Sequence, residues 1–186
     1  MTESAPTSTA PSREVVSCDP APGYSPGIGR YVTQLMLVRQ ELLRHLDGLT
    51  PGQLSWHPTD EVESIGTQLL HVAAIEWSWV FEDIFGRPGE EYSGWEEALP
   101  IRLGLPQVVG RPLEEYLEQL SRVRNEAFEA LRGLTDDDLP NVRPERPTEP
   151  GGEQYTIDWI LFHLVEHEAH HAGQVELMVR LLPASL

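Results

Sequence analysis

The sequence predicts an all-α fold: a four-helix bundle of two up-down helical hairpins related by a pseudo-twofold axis, with long loops and an irregular N-terminal tail. Three observations carry this expectation. Four stretches place apolar residues at helical spacing, and no stretch of any length alternates as a strand would. A turn pattern occurs twice: Leu46-Asp47-Gly48-Leu49-Thr50 with Leu54 resembles Leu131-Arg132-Gly133-Leu134-Thr135 with Leu139. The helix starts that follow also match, Ser64-Ile65 through Leu69-Leu70-His71 against Thr156-Ile157 through Leu161-Phe162-His163. Helix, turn, loop and capped helix thus repeat, as two equivalent hairpins of a bundle require.

Residues 1–26 are rich in Pro, Ser, Thr and Ala and lack a period, so the expected organisation is an irregular tail over 1–27 and one domain over 28–186. Ile28–Leu46 reads as the first helix, with Tyr31, Leu35, Val38, Leu42 and Leu46 on one side and Gly48 to end it. Thr50-Pro51-Gly52-Gln53 is a helix-start pattern for a short turn. Ser64 caps the second helix, Ile65 to Phe85, which is apolar on most sides and therefore buried. Residues 86–111 have prolines, glycines and no clean period, a long connection of the kind that covers sites. Pro112–Arg132 is the third helix, 140–152 a second loop, and Thr156 caps a fourth helix that ends before Pro183.

The fourth helix concentrates the chemistry. Four of the seven histidines lie in His163-Leu164-Val165-Glu166-His167-Glu168-Ala169-His170-His171. At about 100° per residue, His163, His167 and His171 share one stripe, with Ile160 and Met178 above and below. Imidazoles in the middle of a core-facing stripe need a partner, because unpaired buried polar groups are costly. Histidines four apart on a helix bind one divalent cation together, and His71 on the second helix is the natural third ligand. The competing reading is a histidine pair with ordinary hydrogen bonds. Three imidazoles leave positions open on the ion, as catalytic sites do. His163 is left with a role as fourth ligand or as support behind the ligands, and His170 faces a neighbouring helix or solvent. Glu166 or Glu168 is a candidate to orient a histidine.

Other features exclude more than they propose. His167-Glu168-Ala169-His170-His171 matches H-E-x-x-H, but no histidine follows it as a third ligand and no edge strand exists to hold a peptide, which disfavours a zinc protease. His45 and His57 read as surface residues, Trp56, Trp77 and Trp79 as core or interface anchors. The runs Glu96-Glu97 and Asp136-Asp137-Asp138 read as solvated faces. The net charge is −17 and every basic residue is arginine, so nucleic acid is not an expected partner. Cys18 has no second cysteine to pair with and reads as incidental. No apolar run is long enough to span a membrane, and the start lacks a basic-then-apolar signal, so the cytoplasm is the expected compartment.

Leu49-Thr50 with Leu54 and Trp56, Ser64-Ile65 through Leu70-His71-Val72, and His163 through His167-Glu168, His170-His171 and Gly173-Gln174 resemble the DinB-like superfamily, over about residues 28–182. The last block is the most specific. The resemblance implies His71, His167 and His171 as ligands to zinc, nickel or iron. It also implies, for some members, transfer of low-molecular-weight thiols such as bacillithiol or mycothiol to electrophiles, and often a dimer.

Two functions follow as expectations. One is a metal-dependent enzyme acting on a small-molecule substrate, by thiol S-transfer first and metal-dependent hydrolysis next. The other is a non-catalytic metal-binding stress-response protein. No catalytic residue beyond the three ligands is assigned.

Overall fold

In the computed structural model, which describes residues 17–142 and 153–186, four long helices carry the fold. They are α1 (Pro26–Arg44), α3 (Ile65–Trp77), α6 (Leu113–Leu131) and α7 (Ile157–Leu181). Their starts are set by local chemistry. The Ser64 hydroxyl accepts from Thr67 N, and the Thr156 hydroxyl accepts from Trp159 N, each at 3.2 Å. Thr50 and Gln53 form a reciprocal capping box at the short helix α2 (Pro51–Ser55). The apolar faces close on one core that includes Leu35, Leu42, Leu69, Leu120, Leu131, Ile160 and Leu161.

The packing obeys the repeat. α1 lies along α7, α3 lies along α6, and α3 also meets α7. Exchanging the hairpins turns the first contact into the second and leaves the third unchanged. The register that pairs Leu46 with Leu131 also pairs Leu35 with Leu120 and Arg39 with Arg124. The register that pairs Ser64 with Thr156 also pairs His71 with His163 and Glu76 with Glu168.

Those arginines and glutamates form a buried ring of charge, one residue from each long helix. Arg39 bridges Glu168 and Glu76, and Arg124 bridges the same two carboxylates from the other side. Arg39 Nη1 donates to the Leu120 carbonyl at 3.2 Å, and Arg124 Nη1 donates to the Leu35 carbonyl at 2.7 Å. Each arginine thus reaches the backbone that carries the other. With every charge paired and hydrogen-bonded, the desolvation cost of burying four ions is offset.

Three expectations need correction. The second helix is α-helical only to Trp77; Ser78–Ile84 continues as a π-helix, with Phe85 N bonded to Val80 O at 3.1 Å. The segment is apolar on most sides, so its spacing does not reveal the wider turn. The 86–111 connection is folded. It contains a 3₁₀ turn at Gly89–Glu91, then α4 (Trp95–Ala98) and α5 (Pro100–Leu103), with Gly104 left-handed at φ 68° after the last. Prolines and glycines cut the segment into single turns too short to show a period, and α4 packs on α3. The acidic runs are not merely solvated. The Asp136 carboxylate accepts from Ser25 Oγ at 2.6 Å and from Gly27 N at 2.8 Å, capping α1 from another part of the chain. Those bonds hold its carboxyl below the usual range. Glu97 pairs with Arg111 at 2.7 Å.

Residues 17–25 have no regular structure but are fastened to the bundle, with Tyr24 Oη donating to Phe128 O at 3.0 Å and Thr33 Oγ1 to Asp19 O at 2.7 Å. The earlier part of the expected tail and most of the 140–152 loop lie outside the described residues.

Candidate metal centre

α7 presents His167 and His171 one turn apart, with ring centroids 4.6 Å from each other. α3 presents His71 opposite them, its ring 5.2 Å from His167 and 5.0 Å from His171. The Nε2 atoms of His71 and His167 are 3.2 Å apart. One ligand atom from each histidine lies within 4.8 Å of the other two, and all three rings are half-buried. It is the one group of three or more such side chains, among the described residues, with the spacing to hold an ion.

Burial sets the charge state. It is the largest cause lowering His167 to about 3, followed by the neighbouring imidazoles, His171 first. His171 is lowered to about 4, again by burial first and then by His71 and His170. His71 is also lowered by burial, with the Ala98 backbone of α4 working the other way. Near neutral pH the three imidazoles are therefore uncharged, the form in which histidine binds metal.

The arrangement fits a divalent transition metal on one further count. Two nitrogens bound at about 2.0–2.1 Å in a tetrahedral set stand about 3.3 Å apart, close to the separation of His71 and His167. The Nδ1 atoms of His71 and His171 are buried without a well-formed hydrogen bond.

The repeat explains why His71 and not its counterpart joins the cluster. His163 occupies the equivalent position on α7, but the residues equivalent to His167 and His171 are Ile75 and Trp79. His163 accordingly meets an aromatic group. Its ring stacks on Trp159 at 4.9 Å and 11°, and meets Trp79 edge-on at 5.1 Å. Its Nδ1 lies 3.6 Å from Glu166. The fourth-ligand reading of His163 thus finds no support in the placement, although its ring, 5.9 Å from that of His167, does stand behind the cluster.

Glu168 does not orient a histidine as the sequence suggested; both its oxygens are taken by Arg39 and Arg124. That also removes the general base from the H-E-x-x-H match. Glu166 and His170 are exposed. His45 and His57 are half-buried rather than fully exposed, with local partners: His45 Nε2 is 3.4 Å from Glu41, and His57 Nδ1 is 2.8 Å from Thr59 O. Trp77 is buried in the core, while Trp56 and Trp79 are half-buried. Cys18 is exposed.

Sequence reasoning missed the charge ring and the contact of α4 with the site. A signal for the first existed: Arg39 falls between Leu35 and Leu42 on an apolar face, and the repeat places Arg124 in the same position. No local signal announces that Ala98 reaches His71, because loop paths depend on tertiary packing.

Comparison with known proteins shows the family of the chain. The chain is 29% identical over 152 residues to the uncharacterized protein YizA of Bacillus subtilis (strain 168), covering 80% of this chain and 83% of that one. The family model of the DinB superfamily matches residues 34–175, which include all four long helices in whole or large part and all three clustered histidines. With more than half of its length matched, the chain belongs to the DinB superfamily.

Proposed function

We propose that this protein is a metal-dependent enzyme that holds zinc, nickel or iron through His71, His167 and His171. The observation that carries the reading is the half-buried cluster of three neutral imidazoles whose ligand atoms lie within 4.8 Å of one another. A metal bound there supplies Lewis acidity and lowers the pKa of a thiol or water to give a nucleophile near neutral pH. The chain's own residues prepare the place. Burial keeps the imidazoles unprotonated, and the Ala98 backbone of α4 lies against His71. The leading reaction is transfer of a low-molecular-weight thiol to an electrophile, with metal-dependent hydrolysis second. We further propose a small-molecule substrate and a homodimer, as the resemblance to DinB-like proteins suggests, and the cytoplasm as the compartment; no helix among the described residues is long and apolar enough to cross a membrane.

A second reading, a non-catalytic metal-binding stress-response protein, is favoured by one observation: the two glutamates nearest in sequence are engaged elsewhere or exposed. The two readings separate in an assay of the metal-loaded protein with a panel of cellular thiols and a chromogenic chloronitrobenzene. Metal-dependent conjugation that His167→Ala abolishes supports transfer. Stoichiometric metal without turnover for any thiol refutes transfer and favours the binding protein.

A further inference from the structure

A cavity of about 500 Å³ opens between the approach to α3, the α5 turn and the last turns of α7. That volume falls in the range of small-molecule sites. Two lining residues, Gln68 and Gln174, stand three positions from His71 and His171 on the same helices, and so one turn from the histidine cluster. One wall is apolar, formed by Ile101, Leu177 and Met178.

The polar wall is short of donors. Glu63 is half-buried, and among the described residues no ion pair or hydrogen bond serves its carboxylate. Burial alone pushes its carboxyl up. Gln68 is 4% exposed; its Nε2 donates to the Glu63 carbonyl at 3.2 Å, and its Oε1 is buried without a partner. That oxygen is closed off from the cavity space, so the Glu63 carboxylate is the unmet acceptor a ligand can reach. Glu61 and Arg102, of opposite sign, also line the cavity but are exposed, where water and salt screen them. Glu63 is left as the charge that matters within the cavity.

We infer that this cavity binds the positively charged amine end of a substrate, with Glu63 as acceptor and Ile101, Leu177 and Met178 against its carbon chain. An ammonium group offers three donors and a charge, which matches a half-buried carboxylate with no cation of its own. An anionic ligand would meet an unpaired carboxylate instead. The inference rests on the proposed metal centre only in naming the histidines as the reacting end; the amine preference belongs to the cavity itself.

The test is calorimetric titration of the full-length protein with hexylammonium, hexanol and hexanoate, with and without zinc. Hexylammonium is expected to bind at least about tenfold more tightly than hexanoate. Glu63→Gln is expected to remove that preference and Glu63→Asp to retain part of it. His167→Ala is expected to keep the preference. Failure of the wild-type protein to take up zinc, with the preference still present, would count against the metal centre and leave the cavity assignment standing. Equal binding of the two ions, no saturable hexylammonium binding, or a preference unchanged in Glu63→Gln would overturn the assignment.

Discussion

His71 and His167 are 96 residues apart in the chain, yet their Nε2 atoms stand 3.2 Å apart between two helices. Two neutral imidazoles at this distance share one proton between them or one cation. Purified protein is expected to carry about one equivalent of metal. His71→Ala and His167→Ala should each weaken it by about 100-fold or more, since even residues behind metal ligands cost 10–100-fold when removed. His163→Ala should retain the metal. Elemental analysis after dialysis decides this, and undiminished metal in both ligand variants would refute the centre.

Acid should destabilise the metal-free protein through the same cluster. Free histidine titrates near 6.5, whereas native His171 and His167 are lowered to about 4 and about 3. Between those values the unfolded chain binds more protons than the native one, so stability rises with pH. The contribution is fully present above about 6.5 and is lost as pH falls toward 4 and then 3. Thermal unfolding followed from pH 7 to 4 should show a falling Tm. The double variant His167→Ala, His171→Ala should show a shallower fall; parallel curves would contradict the assignment.

The charge ring should behave as a unit. Removing Arg124 leaves Glu76 and Glu168, whose side chains are 4% and 3% exposed, to share Arg39 alone, with one buried negative charge uncompensated. Arg124→Ala should therefore cost about 3–5 kcal/mol, the range for leaving a buried charge unpaired. Arg39→Ala should cost a similar amount, because it occupies the equivalent place. Urea unfolding measures both. A loss below about 1 kcal/mol for either would mean that the ring is hydrated or dispensable.

A glycine at the start of α3 makes a steric prediction. A Cβ on Gly66 would lie 2.5 Å from the hydroxyl oxygen of Tyr116 and 2.7 Å from its Cζ. Tyr116 is fully buried and its hydroxyl has no partner, so the ring has no room to withdraw. Gly66→Ala is expected to destabilise by about 1–3 kcal/mol, as overpacking does. The double variant Gly66→Ala, Tyr116→Phe should recover part of the loss in the same unfolding assay.

The sequence by itself determined the helices, their caps at Ser64 and Thr156, the twofold repeat and the stripe that His167 and His171 share. Such features are local: spacing, capping and turn chemistry act over a few residues and are written in the order of the chain. Tertiary structure alone decided the rest. It set Glu168 between two arginines instead of beside a histidine, folded residues 86–111 into turns that reach His71, and surrounded His163 with Trp79 and Trp159. Each of those outcomes depends on which side chain stands opposite across a helix pair. The same repeat that makes His71 and His163 equivalent in sequence gives one imidazole partners and the other indole partners, and only packing distinguishes them.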